Sequence, residues 1–143
     1  MSENLRHAMA QWIRLLAPEL PDPLPEYRFA AMATGGVGPG VRRRLAEANL
    51  RDWRLDLAWM TAMPDYSAAK IGVECHGGVY SHGRHTRGVG FTKDREKFNE
   101  ATLMGWIILE FTGEHINNDP DYCIDCIRRA FKLRRRGFYA YHA

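Results

Sequence analysis

Cysteine is scarce in this sequence, with three residues in 143, and a chain of that length has no need of covalent staples. The odd count argues against a disulfide framework. Nowhere do about 18 apolar residues run together, which excludes a transmembrane helix. The N-terminal Met-Ser-Glu-Asn-Leu-Arg has neither the apolar stretch nor the cleavage site of a secretory leader, so a cytoplasmic protein is expected. Internal repeats and low-complexity segments are missing too. What is there is the balance of an ordinary globular domain, 45% hydrophobic and 26% charged, and the length predicts a single domain over 1–143.

Cys123 and Cys126 form a C-x-x-C with no second such pair to complete a four-ligand zinc site, and Cys75 lies far away in sequence. At i and i+3 of a helix the two read first as packing residues. Net charge is +3, unevenly spread. Six basic residues and no acid lie between Arg128 and Arg136, which leaves the rest of the chain at −3. Such a basic element on a mildly acidic body suits a polyanion. A solvated helix end, where cations favour the C-terminal dipole, explains it as well.

Glu3 to Leu16 has Leu5, Met9, Trp12, Ile13 and Leu16 at helical spacing. The Pro18–Pro25 stretch ends that helix and leads into a short strand around Tyr27 to Ala31. The Gly-rich run 34–40 fits no regular element, and a short helix over Val41 to Asn49 follows, with Arg42, Arg43 and Arg44 on its first turn. Cations there oppose the helix dipole, so stability alone does not account for them. Trp53 to Trp59 alternates in period two, with Trp53, Leu55, Leu57 and Trp59 on one side and Asp56 on the other, which predicts a strand. Met63 to Tyr66 turns the chain, and Ala69 to Cys75 returns as the second arm of a hairpin. A helix from Thr92 as cap to Met104, ended by Gly105, a buried-type strand Trp106 to Thr112, and a basic C-terminal helix 121–136 complete the reading. The order predicts an α/β or α+β sandwich with a mixed central β-sheet flanked by helices.

The informative segment runs from Glu74 to Gly90. Glu74 and His76, at i and i+2, leave the same face at the end of a strand. Asp56 lies in the neighbouring arm, where side chains directly opposite one another have Cβ atoms about 5 Å apart. Two carboxylates and the backbone carbonyl of Cys75 make a hard, all-oxygen set suited to Mg²⁺. Either acid alone reads as a solvated polar residue; an unpaired carboxylate on a half-buried strand is costly, which favours the paired reading. The loop beyond sets His82, Arg84, His85 and Arg87 among five glycines, a density of donors with backbone freedom that suits phosphate contact. Lys93 and Lys97 share a face of the next helix, and Lys97 is the better placed to point back at the acids.

These residues resemble a known group. Trp53-Arg-Leu-Asp-Leu-Ala-Trp59, Ile71-Gly-Val-Glu-Cys-His-Gly-Gly78, Gly83-Arg-His-Thr-Arg-Gly88, the run Lys93 to Asn99 and the run Gly105 to Thr112 together resemble PD-(D/E)xK endonucleases of phages and prophages, relatives of the Vsr-like nucleases. The similarity runs from about Glu26 to about His115. It implies a restriction-endonuclease-like core and a nuclease working in the cytoplasm of a bacterial or phage-infected cell. It implies a Mg²⁺- or Mn²⁺-dependent endodeoxyribonuclease in which Asp56 is the first metal-binding acid and Glu74 the acid of the (D/E)xK motif. His76 then stands where the motif has lysine, and His85 is a second candidate, for protonating the leaving oxygen. Residues 34–51 look like an insertion. Expected DNA contacts are His82, Arg84, Arg87, Arg42, Arg43, Arg44, Arg134 and Arg135. The implied substrate is branched DNA such as a Holliday junction, cut by a homodimer, with a mismatch-directed nick as the alternative. A non-catalytic DNA-binding protein of the same fold, and a zinc-binding module built on Cys123 and Cys126, are the readings from other classes.

Overall fold

The computed structural model describes the backbone of residues 2–77 and 84–142 and the side chains of 4–77 and 90–136. In chain order the elements are α1 (Ser2–Leu16), β1 (Leu24–Tyr27), α2 (Phe29–Ala33), α3 (Val41–Glu47), β2 (Leu55–Trp59), β3 (Ile71–His76), α4 (Arg84–Leu103), β4 (Ile107–Thr112), α5 (Gly113–Asn118) and α6 (Pro120–His142). The strands lie side by side in that same order. β1–β2 and β2–β3 are antiparallel and β3–β4 parallel, so the sheet is mixed and flanked by helices, as the sequence predicts. A parallel step needs a long crossover, which α4 supplies. Among the described residues no helix is long and apolar enough to cross a membrane.

Each face of the sheet buries its own apolar cluster. Ile71, Val73 and Cys75 of β3 and Phe111 of β4 join Met9 and Ile13 of α1 and Cys123, Ile127 and Phe131 of α6. On the other face Phe29, Leu45, Ala101 and Trp106 pack with Leu55 and Ala58 of β2. The predicted alternation of β2 therefore breaks. Leu57 and Trp59 go to the first cluster, but Leu55 goes to the second, and Trp53 stacks on Phe29 there at 6.1 Å. Gly72 makes room for this, since a Cβ at that position would lie 2.8 Å from Leu55 Cδ1 and 3.0 Å from Ile108 Cδ1.

Other boundaries differ from the sequence reading for identifiable reasons. The strand expected at Tyr27 to Ala31 lies earlier, at Leu24–Tyr27, where Pro25 is tolerated because β1 is an edge strand; Phe29–Ala33, rich in alanine, is helical. α4 begins at Arg84 instead of after a Thr92 cap, so the Gly-rich stretch contributes its start. Gly105, at φ +91°, ends α4 as expected, with the Trp106 N–H donating to Ala101 O and the Gly105 N–H to Thr102 O. α5 was not anticipated; Thr112 caps it reciprocally with His115. α6 opens on Pro120, accepts an Asp119 side-chain cap at the Tyr122 N–H (3.3 Å), and passes through Gly137 to His142.

Two glycine substitutions test this packing in opposite directions. Gly72→Ala pushes a methyl into Leu55 and Ile108 and is expected to cost about 1–3 kcal/mol. Gly90→Ala in α4 meets nothing within 4 Å and is expected to gain about 0.5–1 kcal/mol from helix propensity. Urea midpoints of the two variants against wild type read both; a Gly72→Ala chain as stable as wild type would show that Leu55 does not lean over that position.

Candidate active site

The antiparallel ladder between β2 and β3 runs from Trp59↔Ile71 to Leu57↔Val73. One step further, the same register sets Asp56 against Glu74. There the Cys75 N–H donates to Asp56 Oδ2 at 2.7 Å, so the carboxylate is anchored to the neighbouring strand's backbone. Glu74 is only 7% exposed. Its Oε1 accepts a hydrogen bond from Lys97 Nζ, reaching down from α4 as an ion pair that is itself largely shielded from water. The hairpin register and the crossover helix thus bring Asp56, Glu74 and Lys97 together at one end of the sheet.

Burial governs the electrostatics. It pushes the Glu74 carboxyl up to about 8; the Lys97 ammonium offsets part of that shift, and the nearby Asp56 carboxylate adds to it. The Cys75 thiol is pushed well above its ordinary range by burial and then by the charges of Asp56 and Glu74, so at neutral pH it is neither nucleophile nor thiolate ligand.

β4 brings an acid that the sequence reading passed over. Glu110 pairs with Glu74 in the parallel register, and His76 Nε2 lies 3.1 Å from Glu110 Oε1. The signal was available: Glu110 is the one charged residue in an otherwise apolar strand, two positions from Thr112. His76 also meets Phe98 of α4 edge-on at 6.3 Å. A second overlooked residue is Arg6 of α1, 9% exposed, whose guanidinium pairs with Glu26 at 3.5 Å and favours the charged form of Cys75. The entry of β2 is held from outside by Arg28, whose Nε and Nη2 donate to Asp52 Oδ1 and Oδ2 at 3.0 and 2.7 Å, a bidentate fork that holds the Asp52 carboxyl below its usual range.

The remaining predicted contacts scatter. His82 lies outside the described residues. Arg84, His85 and Arg87 fall at the start of α4, and their side chains lie outside the described ones. Arg42 and Arg43 are exposed on α3, with Arg43 3.8 Å from Glu47. Arg44 turns inward instead: its Nη1 and Nη2 donate to Pro39 O (2.9 Å) and Gly36 O (2.6 Å), so it folds the Gly-rich loop and does not face outward to a phosphate. Arg134 is likewise committed, donating to the carbonyls of Ala69 (2.6 Å), Lys70 (3.2 Å) and Gly105. These carbonyls mark the end of the sheet away from Glu74, so Arg134 and the exposed Arg135 are not neighbours of the acids. Cys123 and Cys126 pack into the α1–α6 cluster, and burial, with Cys126 beside it, pushes the Cys123 thiol up to about 12.

No family model matches the chain, and no curated protein or solved structure matches it at a significant level. Among the described residues no three His, Cys, Asp or Glu side chains converge as a metal site. The pair Asp56 and Glu74 nevertheless fits a hard divalent cation in kind: both donors are carboxylates, and a cation beside Glu74 would favour the charged form that burial disfavours. A cation there would share Glu74 with Lys97 or displace it.

The raised Glu74 carboxyl has a consequence for folding measured with a chelator present. The folded chain keeps a proton that the unfolded chain releases. Its stabilising contribution is therefore complete below about 4.5 and is lost as pH climbs through about 8, by at most about 1.4 kcal/mol per pH unit. Glu74→Gln is expected to flatten this decline, so that the variant gains on wild type as pH rises from 5 to 9 in denaturant titrations. Parallel pH profiles for the two proteins would contradict it.

Proposed function

We propose that the chain is a metal-dependent DNA endonuclease with a restriction-endonuclease-like core, acting on branched DNA. The observation that carries this reading is the placement of Asp56 beside Glu74 on adjacent strands, with Lys97 donating to Glu74: two acids and a lysine at one sheet end. Asp56, Glu74 and the Cys75 carbonyl would hold Mg²⁺ or Mn²⁺, which when bound stabilises charge building on a phosphodiester and makes water a better nucleophile. Lysine has three N–H donors, and Lys97 spends one on Glu74. The others orient the attacking water or a non-bridging phosphate oxygen. Lys97 thereby takes, from a helix, the place of the motif lysine that His76 does not fill.

In the reaction, water oxygen bonds to phosphorus as the bond from phosphorus to the leaving sugar oxygen breaks in line. The water gives up a proton and the leaving oxygen gains one. Glu110 beside Nε2 sets the His76 ring, leaving Nδ1 for proton exchange; His85 is the second candidate for the leaving-group side. His82, Arg84, Arg87, Arg42 and Arg43 would hold the backbone near the acids. The same reading places the protein in the cytoplasm of a bacterial or phage-infected cell and makes it a homodimer, so that two strands of a junction are cut.

One observation favours a second reading, a DNA-binding protein without catalysis: Lys97 already engages the Glu74 carboxyl. Incubating the protein with labelled linear, mismatched and four-way-junction DNA in Mg²⁺ or Mn²⁺ separates the two. Wild type is expected to cut and to prefer the junction. Asp56→Asn/Glu74→Gln is expected to lose at least about a hundredfold in rate, as removal of groups central to transition-state stabilisation does. Binding with no cleavage by wild type in either metal would sink the catalytic reading, and preference for the mismatch would make it a nicking enzyme.

A further inference from the structure

The basic helix is not at the acidic site. α6 packs on the sheet face opposite α4, and its Arg134 is fastened to Ala69, Lys70 and Gly105, at the end of β3 where the strand begins. Between α6, the segment around Pro21 and the connection from β2 to β3 lies a groove of about 480 Å³. Its apolar lining includes Met63 and Phe131, and its α6 wall carries Arg128, Arg129, Lys132 and Arg135. Thr61 on the opposite wall is five residues beyond Asp56, about 17 Å along an extended chain.

Two of those cations have local work. Arg128 donates to Glu19 (2.8 Å) and to Leu16 O (2.9 Å), which fastens α6 to the end of α1 and neutralises the one acid of the groove. Arg129 pairs with Asp125 at 2.9 Å on its own helix. Lys132 and Arg135 are exposed and have no hydrogen-bond or ion-pair partner among the described residues. Stability does not account for them. The helix dipole rewards cations only in the last turn, and α6 continues seven residues beyond Arg135 to His142. Like charges three residues apart on one helix face repel. A rigid wall of cations whose nearest acid is already spent is complementary to a chain of evenly spaced negative charges.

We propose that this groove is a second nucleic-acid site, in which Lys132 and Arg135 hold phosphates of a strand that does not enter the acidic site. The choice of nucleic acid as the polyanion rests on the reading of the chain as a DNA-acting protein; the cationic groove stands without it. Two separated sites on opposite faces suit a branched molecule, one arm at the acids and another along α6.

The test is binding in chelator, where cleavage plays no part. Fluorescein-labelled duplex and four-way junction are titrated by anisotropy with wild type and with Lys132→Gln/Arg135→Gln, from about 50 to about 200 mM salt, the range over which phosphate contacts dominate. Both residues are exposed, so matched thermal unfolding certifies the variant's fold. The variant is expected to bind the junction several-fold more weakly and to lose roughly two units from the slope of log affinity against log salt. An unchanged slope and affinity would overturn the proposal. So would binding of phosphatidylserine vesicles, in place of either DNA, through the same two residues. Absence of cleavage in the earlier assay leaves this readout intact, and an unchanged salt slope leaves the cleavage result intact, so the two readings fail separately.

Discussion

A carboxylate in the middle of a sheet has to be answered by something, and here the answer is the ammonium of Lys97. Glu74 is shut away from water between two other strands, where ionisation is expensive and a backbone neighbour such as Cys75 is already engaged. Meeting that demand requires α4 to lie over β3 with Lys97 inward, and α4 is also the crossover that makes β4 parallel. Once β4 is in place, Glu110 falls beside Glu74 and within reach of His76. The chemistry of the site and the topology of the sheet thus share one ion pair. Replacing the pair by apolar residues of like volume would cost the fold little in principle, whereas removing Lys97 alone would leave a buried carboxyl without its partner.

Much of this arrangement is legible in the sequence because it depends on local periodicity. The hairpin of β2 and β3 follows from alternation and a turn, and it is enough to put Asp56 near Glu74. The i, i+4 spacing of Lys93 and Lys97 identifies a helix face, although only the crossover geometry selects Lys97 as the inward member. What is not legible is where long side chains spend their donors. Arg42, Arg43 and Arg44 are indistinguishable as letters, yet Arg44 closes the Gly-rich loop while its neighbours stay exposed. Leu55 breaks the pattern of its own strand because of a glycine seventeen positions later, a dependence no window of sequence contains. Glu110 was visible as a charge in an apolar strand, but its value depends on a parallel pairing that links segments 36 residues apart.

The distribution of arginines separates two jobs that composition merges. Arg28, Arg44, Arg128 and Arg134 are structural, each tying a helix or loop to a carboxylate or carbonyl some way off in sequence. Arginine suits this work because its planar fork reaches several acceptors at once and cannot lose its charge. The net positive charge is therefore a poor measure of the surface open to a polyanion. Among the described residues Arg42 and Arg43 of α3 and Lys132 and Arg135 of α6 stay exposed while those four arginines are spent.

Arg134 also bears on the order in which the chain is completed. Its guanidinium gathers carbonyls from two places, the start of β3 and the turn before β4, that are separated by the whole of α4. Until α6 has been made and docked, the Ala69 and Gly105 carbonyls lack the guanidinium and the Lys70 carbonyl has the Ile107 N–H alone, so the parallel pair of strands lacks its clasp at that end. A ribosome-bound chain still short of residue 134 would thus present β3 and β4 with one end unfinished and with the cluster that α6 covers open to solvent. The helix that carries the basic groove also covers one face of the sheet, so a nascent chain acquires its cationic wall and the cover of that cluster in the same event.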